Sequence, residues 1–132
     1  MKRVRQEHPT GCGIACIAMV CGTTYSNVMN EAKELLGWDN SQKTFYTDSS
    51  HLQKLLHAMK VNSQKGRSVG KWGSLPNTAI AGINYDKKHN RWHWVVFCRE
   101  VDREYVLDPR SKREERTDFG RMRLRSCIPI DG

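Results

Sequence analysis

Gln6-Glu-His-Pro-Thr-Gly-Cys12-Gly-Ile-Ala-Cys16-Ile-Ala-Met-Val-Cys21-Gly22 is the stretch on which the rest of the chain depends. A polar approach leads to a Cys-Gly pair at the mouth of an apolar run. Ile14, Ile17, Ala18 and Cys21 fall at the i, i+3, i+4, i+7 spacing of one helical face. Ala15, Met19 and Val20 cover most of the remainder, so the spacing predicts a helix apolar nearly all round and therefore internal. Gly22 ends it, since glycine takes the left-handed turn past a helix terminus at least cost.

A cysteine at such a helix start has unusual chemistry. The first backbone N–H groups of a helix lack partners and the helix dipole favours negative charge there, so both stabilise a thiolate. Helix N-termini and neighbouring imidazolium groups bring a cysteine pKa from about 8.5 to roughly 3.5–7.5. Cys12 is the candidate nucleophile. Free cysteines are also common as small buried hydrophobes, so the reading requires a base and a group to orient it.

Arg91-Trp-His93-Trp-Val-Val-Phe-Cys98 is an aromatic and β-branched run, hence a strand with a histidine near its beginning. Tyr105-Val-Leu-Asp108-Pro109 is a second strand closed by proline. The charged link Arg99–Glu104 joins them as a hairpin, which sets position 93 opposite roughly 108 to 110 and allows His93 and Asp108 to meet. Within the first strand, Trp92, Trp94, Val96 and Cys98 alternate with His93, Val95 and Phe97. An isolated histidine on such a face reads as a hydrogen-bonded core residue; with Cys12 upstream and Asp108 in the paired strand, it reads as a base.

These residues carry a family resemblance. Gln6 six positions before Cys12, the run Cys12-Gly13-x-Ala15-Cys16-x-Ala18-Met19, His93-x-Val95-Val96 and Val106-Leu107-Asp108-Pro109 resemble the papain-like peptidase domain that removes double-glycine leaders from bacteriocins. The similarity spans roughly residues 6 to 109. It implies Gln6 as oxyanion-hole donor, Cys12 as nucleophile, His93 as general base and Asp108 as the residue that orients it. The chain departs from the pattern in having Thr10-Gly11 where an acidic residue often precedes the Cys-Gly pair, and no transporter or ATPase segment follows.

A length of 132 residues suits one domain with a single core. The apolar fraction is 38% and mean hydropathy is -0.69, with no run near the eighteen or so apolar residues of a membrane span. Met1-Lys-Arg-Val-Arg5 has the charge of a signal peptide without its apolar segment, which favours a cytoplasmic location or signal-independent export as an effector. The five cysteines lack a disulfide framework and fit a reducing compartment. Cys12, Cys16 and Cys21 come near zinc-ligand spacing, but no Cys or His pair stands nearby to complete four ligands, so packing is the reading for Cys16 and Cys21. The net charge of +8 is concentrated in Arg110–Arg125, read as a solvated basic face or mobile tail and as a possible contact for an acidic partner surface. Without interleaved aromatics or a recognition motif, nucleic acid is disfavoured.

Elsewhere, Thr23–Ser26 offers a cap for an amphipathic helix carrying Val28, Met29, Ala32, Leu35 and Leu36 and ending at Gly37. Trp38–Thr47 reads as a surface loop. Asp48 or Ser49 caps a third helix with Leu52, Leu55, Leu56 and Met59 on one face, and His51 and His57 toward solvent. A short edge strand near Val69, a strand over Thr78–Tyr85, a polar loop to Arg91 and a closing strand within Leu124–Ile130 complete the pattern.

The expected architecture is α+β and papain-like: one domain over 1–132, with a helical half (about 1–60) packed on a small antiparallel sheet (about 61–132). The expected function is a cysteine hydrolase, first of all a peptidase acting on a peptide or protein, with neither cofactor nor metal. The alternatives are a protein glutamine deamidase or transglutaminase, which shares the thioester chemistry, and a non-catalytic peptide-binding module.

Overall fold

Because its apolar residues leave no polar stripe, α1 (Cys12–Cys21) cannot lie on a surface, and Cys12 through Met19 are all buried. At its end Gly22 adopts φ 68°. Gly22 N–H donates to Met19 O at 3.3 Å and Thr23 N–H to Ala18 O at 3.0 Å, which satisfies carbonyls that the helix leaves open. Thr24 then starts α2 (Tyr25–Leu36), its side chain accepting from Asn27 N–H, and Gly37 ends it at φ 72°. Tyr25, Val28, Met29 and Ala32 form its inner face. Asp48 and His51 make a reciprocal cap for α3 (Ser49–Ala58), which buries Leu52, Leu55 and Leu56.

The remaining elements are strands β1 (Arg67–Ser68), β2 (Thr78–Asp86), β3 (Arg91–Arg99), β4 (Glu104–Leu107) and β5 (Leu124–Pro129), with short 3-10 turns at Trp72–Ser74 and Phe119–Arg121. In this computed structural model, which describes residues 1–131, they form one antiparallel sheet in the order β1-β5-β2-β3-β4. Strand alternation splits the interior in two. Ile80, Trp94, Val96 and Ile128 join the helices in the larger core, while Ala81, Val95, Phe97, Val106 and Cys127 form a second core on the opposite face. Leu75 and Met122 close the second core, with Trp72 and Phe119 partly buried against it. The architecture is α+β, with helices on one face of the sheet, as the sequence pattern predicts.

Two expectations are corrected. Trp38–Thr47 is not a free surface loop: Phe45 is 4% exposed, its ring centroid lying 4.7 Å from that of His8 and 5.3 Å from that of Trp38. Its lack of periodicity reflects packing by single anchors rather than by a repeating face. The basic segment after Asp108 is not a mobile tail. Val106 and Arg116 exchange backbone hydrogen bonds at 2.8 Å in both directions, covering the outer edge of β4 that would otherwise be unpaired, and Met122 is buried. The short edge strand expected around Val69 is present as Arg67–Ser68, paired with Cys127 and Ser126, and Val69 N–H donates to Arg125 O at 2.9 Å.

Candidate active site

Cys12 occupies the first turn of α1, where Gly11 precedes it with no side-chain cap. Gly11 is dictated by space: a Cβ there would collide with the Tyr25 hydroxyl, which is also 2.9 Å from His8 Nδ1. Tyr25 thus packs against the residue that precedes Cys12. The Cys12 residue is 8% exposed, and the Trp94 backbone N–H donates to its Sγ at 3.5 Å. Burial pushes the Cys12 thiol up, but the His93 imidazole, the Trp94 N–H and the Arg110 charge outweigh it, so its pKa lies below the ordinary thiol value. Cys16, one turn along and fully buried, is pushed well up by burial and by the nearby Cys12 and Asp108 charges. Of the three sulfurs on this helix only that of Cys12 has its pKa lowered, since burial pushes Cys21 up as well.

His93 comes from β3 and Asp108 from the residue directly after β4. Their side chains are 11% and 13% exposed, and His93 Nε2 lies 2.7 Å from Asp108 Oδ1. That oxygen also accepts from the Arg110 backbone N–H at 2.9 Å. Burial pulls the His93 pKa down, yet Asp108 and Cys12 more than reverse this and raise it to about 9. Burial pushes the Asp108 carboxyl up, but the hydrogen bond from His93 and the charges of His93 and Arg110 leave it below the usual carboxylate range. His93 Nδ1 is buried without a hydrogen-bond partner, while the imidazole as a whole couples to the Cys12 sulfur. Both shifts run in the direction of a thiolate beside an imidazolium.

Cys12, His93 and Asp108 line a cavity of about 920 Å³. Pro9 and Thr10 form part of its rim, and Ile83, Trp92 and Met122 supply apolar wall. The Gln6 backbone N–H donates to Pro109 O at 3.1 Å, tying the segment before Cys12 to the segment after Asp108. Its side-chain Nε2 donates to His8 O and Pro9 O, both at 2.9 Å, and its Oε1 is buried without a partner. Gln6 thus braces the loop behind the cavity rim. Among the described residues, no group of three or more His, Cys, Asp or Glu side chains is placed to hold a metal ion.

With this geometry in place, comparison with known protein families is informative. The profile of the Peptidase C39 family covers residues 1–121. The chain belongs to the Peptidase C39 family. No curated protein matches it. As a C39 chain it is a papain-like cysteine peptidase, its substrate a peptide or protein, and among the described residues no single helix is long and apolar enough to cross a membrane. Within the C39 domain, sequence reasoning missed Tyr25, Trp94 and Arg110 as neighbours of the site. Tyr25 reads as an ordinary helix-start aromatic, and a backbone N–H such as that of Trp94 carries no side-chain signal. Arg110 was within view, two residues after Asp108, but was absorbed into a general basic segment.

Proposed function

We propose that this C39 peptidase cleaves its peptide substrate through a Cys12-His93-Asp108 triad. The Cys12 thiolate attacks the scissile carbonyl carbon, forming a C–S bond as the carbonyl π pair moves to oxygen. Collapse of that intermediate expels the amine, which takes its proton from His93 and leaves a thioester on Cys12. The neutral imidazole then removes a proton from water, the resulting hydroxide displaces Cys12, and the thiolate and imidazolium are restored. Asp108 holds the ring by Nε2 and leaves Nδ1 for the sulfur and the leaving group.

The developing oxyanion is met by the Cys12 backbone N–H and by the Gln6 amide, which exchanges a carbonyl contact on its own loop for the substrate. The observation that supports this reading is the 2.7 Å contact between His93 Nε2 and Asp108 Oδ1, two side chains that line one cavity together with Cys12. Incubating wild type and Cys12→Ala with a synthetic peptide library and sequencing the products by mass spectrometry tests it. New peptide termini with wild type alone are expected. Cleavage that survives Cys12→Ala would overturn the assignment, as would a one-unit mass gain at glutamine with no new termini.

A further inference from the structure

The cavity that holds Cys12 and His93 has a charge pattern the hydrolytic chemistry does not require. Three aspartates line it, Asp86, Asp108 and Asp118, and each is already occupied by a cationic or hydrogen-bonding partner. Asp86 Oδ2 is 2.6 Å from His89 Nδ1, Asp108 is held by His93 at 2.7 Å, and Asp118 accepts from Arg116 at 2.9 Å. Four arginines line the same cavity: Arg91, Arg110, Arg116 and Arg121. Arg116 is paired with Asp118, and Arg110 lies close enough to Cys12 and Asp108 to favour their anionic forms.

Arg91 and Arg121 are different. Both are exposed, and neither makes an ion pair with a carboxylate among the described residues. Arg91 is held over the Tyr46 ring, 3.9 Å from its centroid, two residues before His93 on the same strand. That stacking restrains the guanidinium; its Nη1 donates to Asn90 O at 3.3 Å, and its remaining N–H groups are available to an anion. Arg121 enters from the 3-10 turn Phe119–Arg121, beside the buried Met122 that forms the apolar wall. Two arginines from separate segments therefore face one polar cavity whose own carboxylates are engaged.

The geometry points to a carboxylate recognition subsite: the cavity selects peptides carrying a carboxylate within a few residues of the scissile bond, received by Arg91 and Arg121. This rests on the peptidase reading above. The carboxylate belongs either to an Asp or Glu side chain or to the free C-terminus of a short peptide; both present the same planar anion to a guanidinium.

The test is cleavage of a randomised synthetic peptide library in two arms, one with free C-termini and one amidated, with products sequenced by mass spectrometry. Matched Glu and Gln peptides then give ratios of kcat/KM. Enrichment of Asp or Glu near the cleaved bond in both arms is expected for side-chain recognition, and cleavage confined to the free-acid arm near the peptide end for C-terminal recognition. An exposed ion pair contributes up to about fivefold, so Arg91→Gln and Arg121→Gln should each reduce the acidic-to-neutral ratio by up to about that factor, and added salt should reduce it in the wild type. Cys12-dependent cleavage with no carboxylate preference in either arm would overturn the subsite and leave the peptidase standing. No Cys12-dependent cleavage in either arm would overturn both.

Discussion

His93 and Asp108 join across 2.7 Å although the strand register does not set them face to face. The β3–β4 ladder pairs Val96 with Leu107; continued three places, it sets His93 opposite Arg110 and leaves Asp108 on the diagonal. Diagonal same-face neighbours remain within reach of long or aromatic side chains. The imidazole spans the offset, and the Arg110 backbone N–H fixes the carboxylate from its other side.

That contact gives the first prediction. Asp108→Asn removes the charge that holds the imidazolium, and kcat should fall by roughly 10²-fold. This is less than the ~10⁴ of the equivalent change in a serine triad, because here the imidazole is charged before substrate arrives. Stopped-flow turnover with any cleaved peptide checks it, and imidazole titration by NMR should show the His93 pKa below its wild-type value of about 9.

The pH dependence has a definite sign. His93 is raised from 6.5 to about 9, so its contribution to stability is whole below pH 6.5 and is lost as pH rises through about 9. Asp108 is lowered from 3.8, so its contribution is present above that value and is lost as pH falls through the depressed one. Cys12 is lowered from 9.0, which makes its contribution whole above 9.0 and lost as pH falls through its own folded value. The ion pair thus spans the interval between the lowered Cys12 pKa and about pH 9. Alkylation by iodoacetamide at neutral pH should be faster at Cys12 than at the other cysteines, and His93→Ala should slow it by removing the largest of the contributions that oppose burial of the thiol.

Gly11→Ala should disturb Cys12 without replacing any residue of the proposed triad. The new methyl group collides with the Tyr25 hydroxyl, and overpacking of this kind costs about 1–3 kcal/mol. Thermal denaturation should show the loss, together with slower Cys12 alkylation. The double variant Gly11→Ala with Tyr25→Phe should recover part of both, because the atom in the way is the phenolic oxygen.

Gln6→Ala separates the oxyanion role from bracing of the loop. Removing an oxyanion donor costs about 10²–10³ in kcat, so turnover should fall by that order while Cys12 alkylation, which forms no oxyanion, changes little. Equal losses in both would assign Gln6 to support of the segment His8–Pro9, whose carbonyls it binds.

The sequence by itself determined the buried helix behind Cys12, the two amphipathic helices beside it, and the hairpin bearing His93 and Asp108. Each is written in near-neighbour chemistry: an apolar run closed by Gly22, period-3.6 stripes with polar caps, and alternation between two turn signals. The resemblance to the C39 pattern followed from the same residues. Only the tertiary structure decided where Gln6 directs its amide, why Gly11 admits no side chain, and that the basic segment folds back along β4 to wall the cavity instead of trailing in water. Those outcomes depend on contacts between residues distant in the chain, such as Gly11 with Tyr25 and Val106 with Arg116. The composition of a segment constrains its solubility and local conformation, but not which unpaired backbone edge it will satisfy.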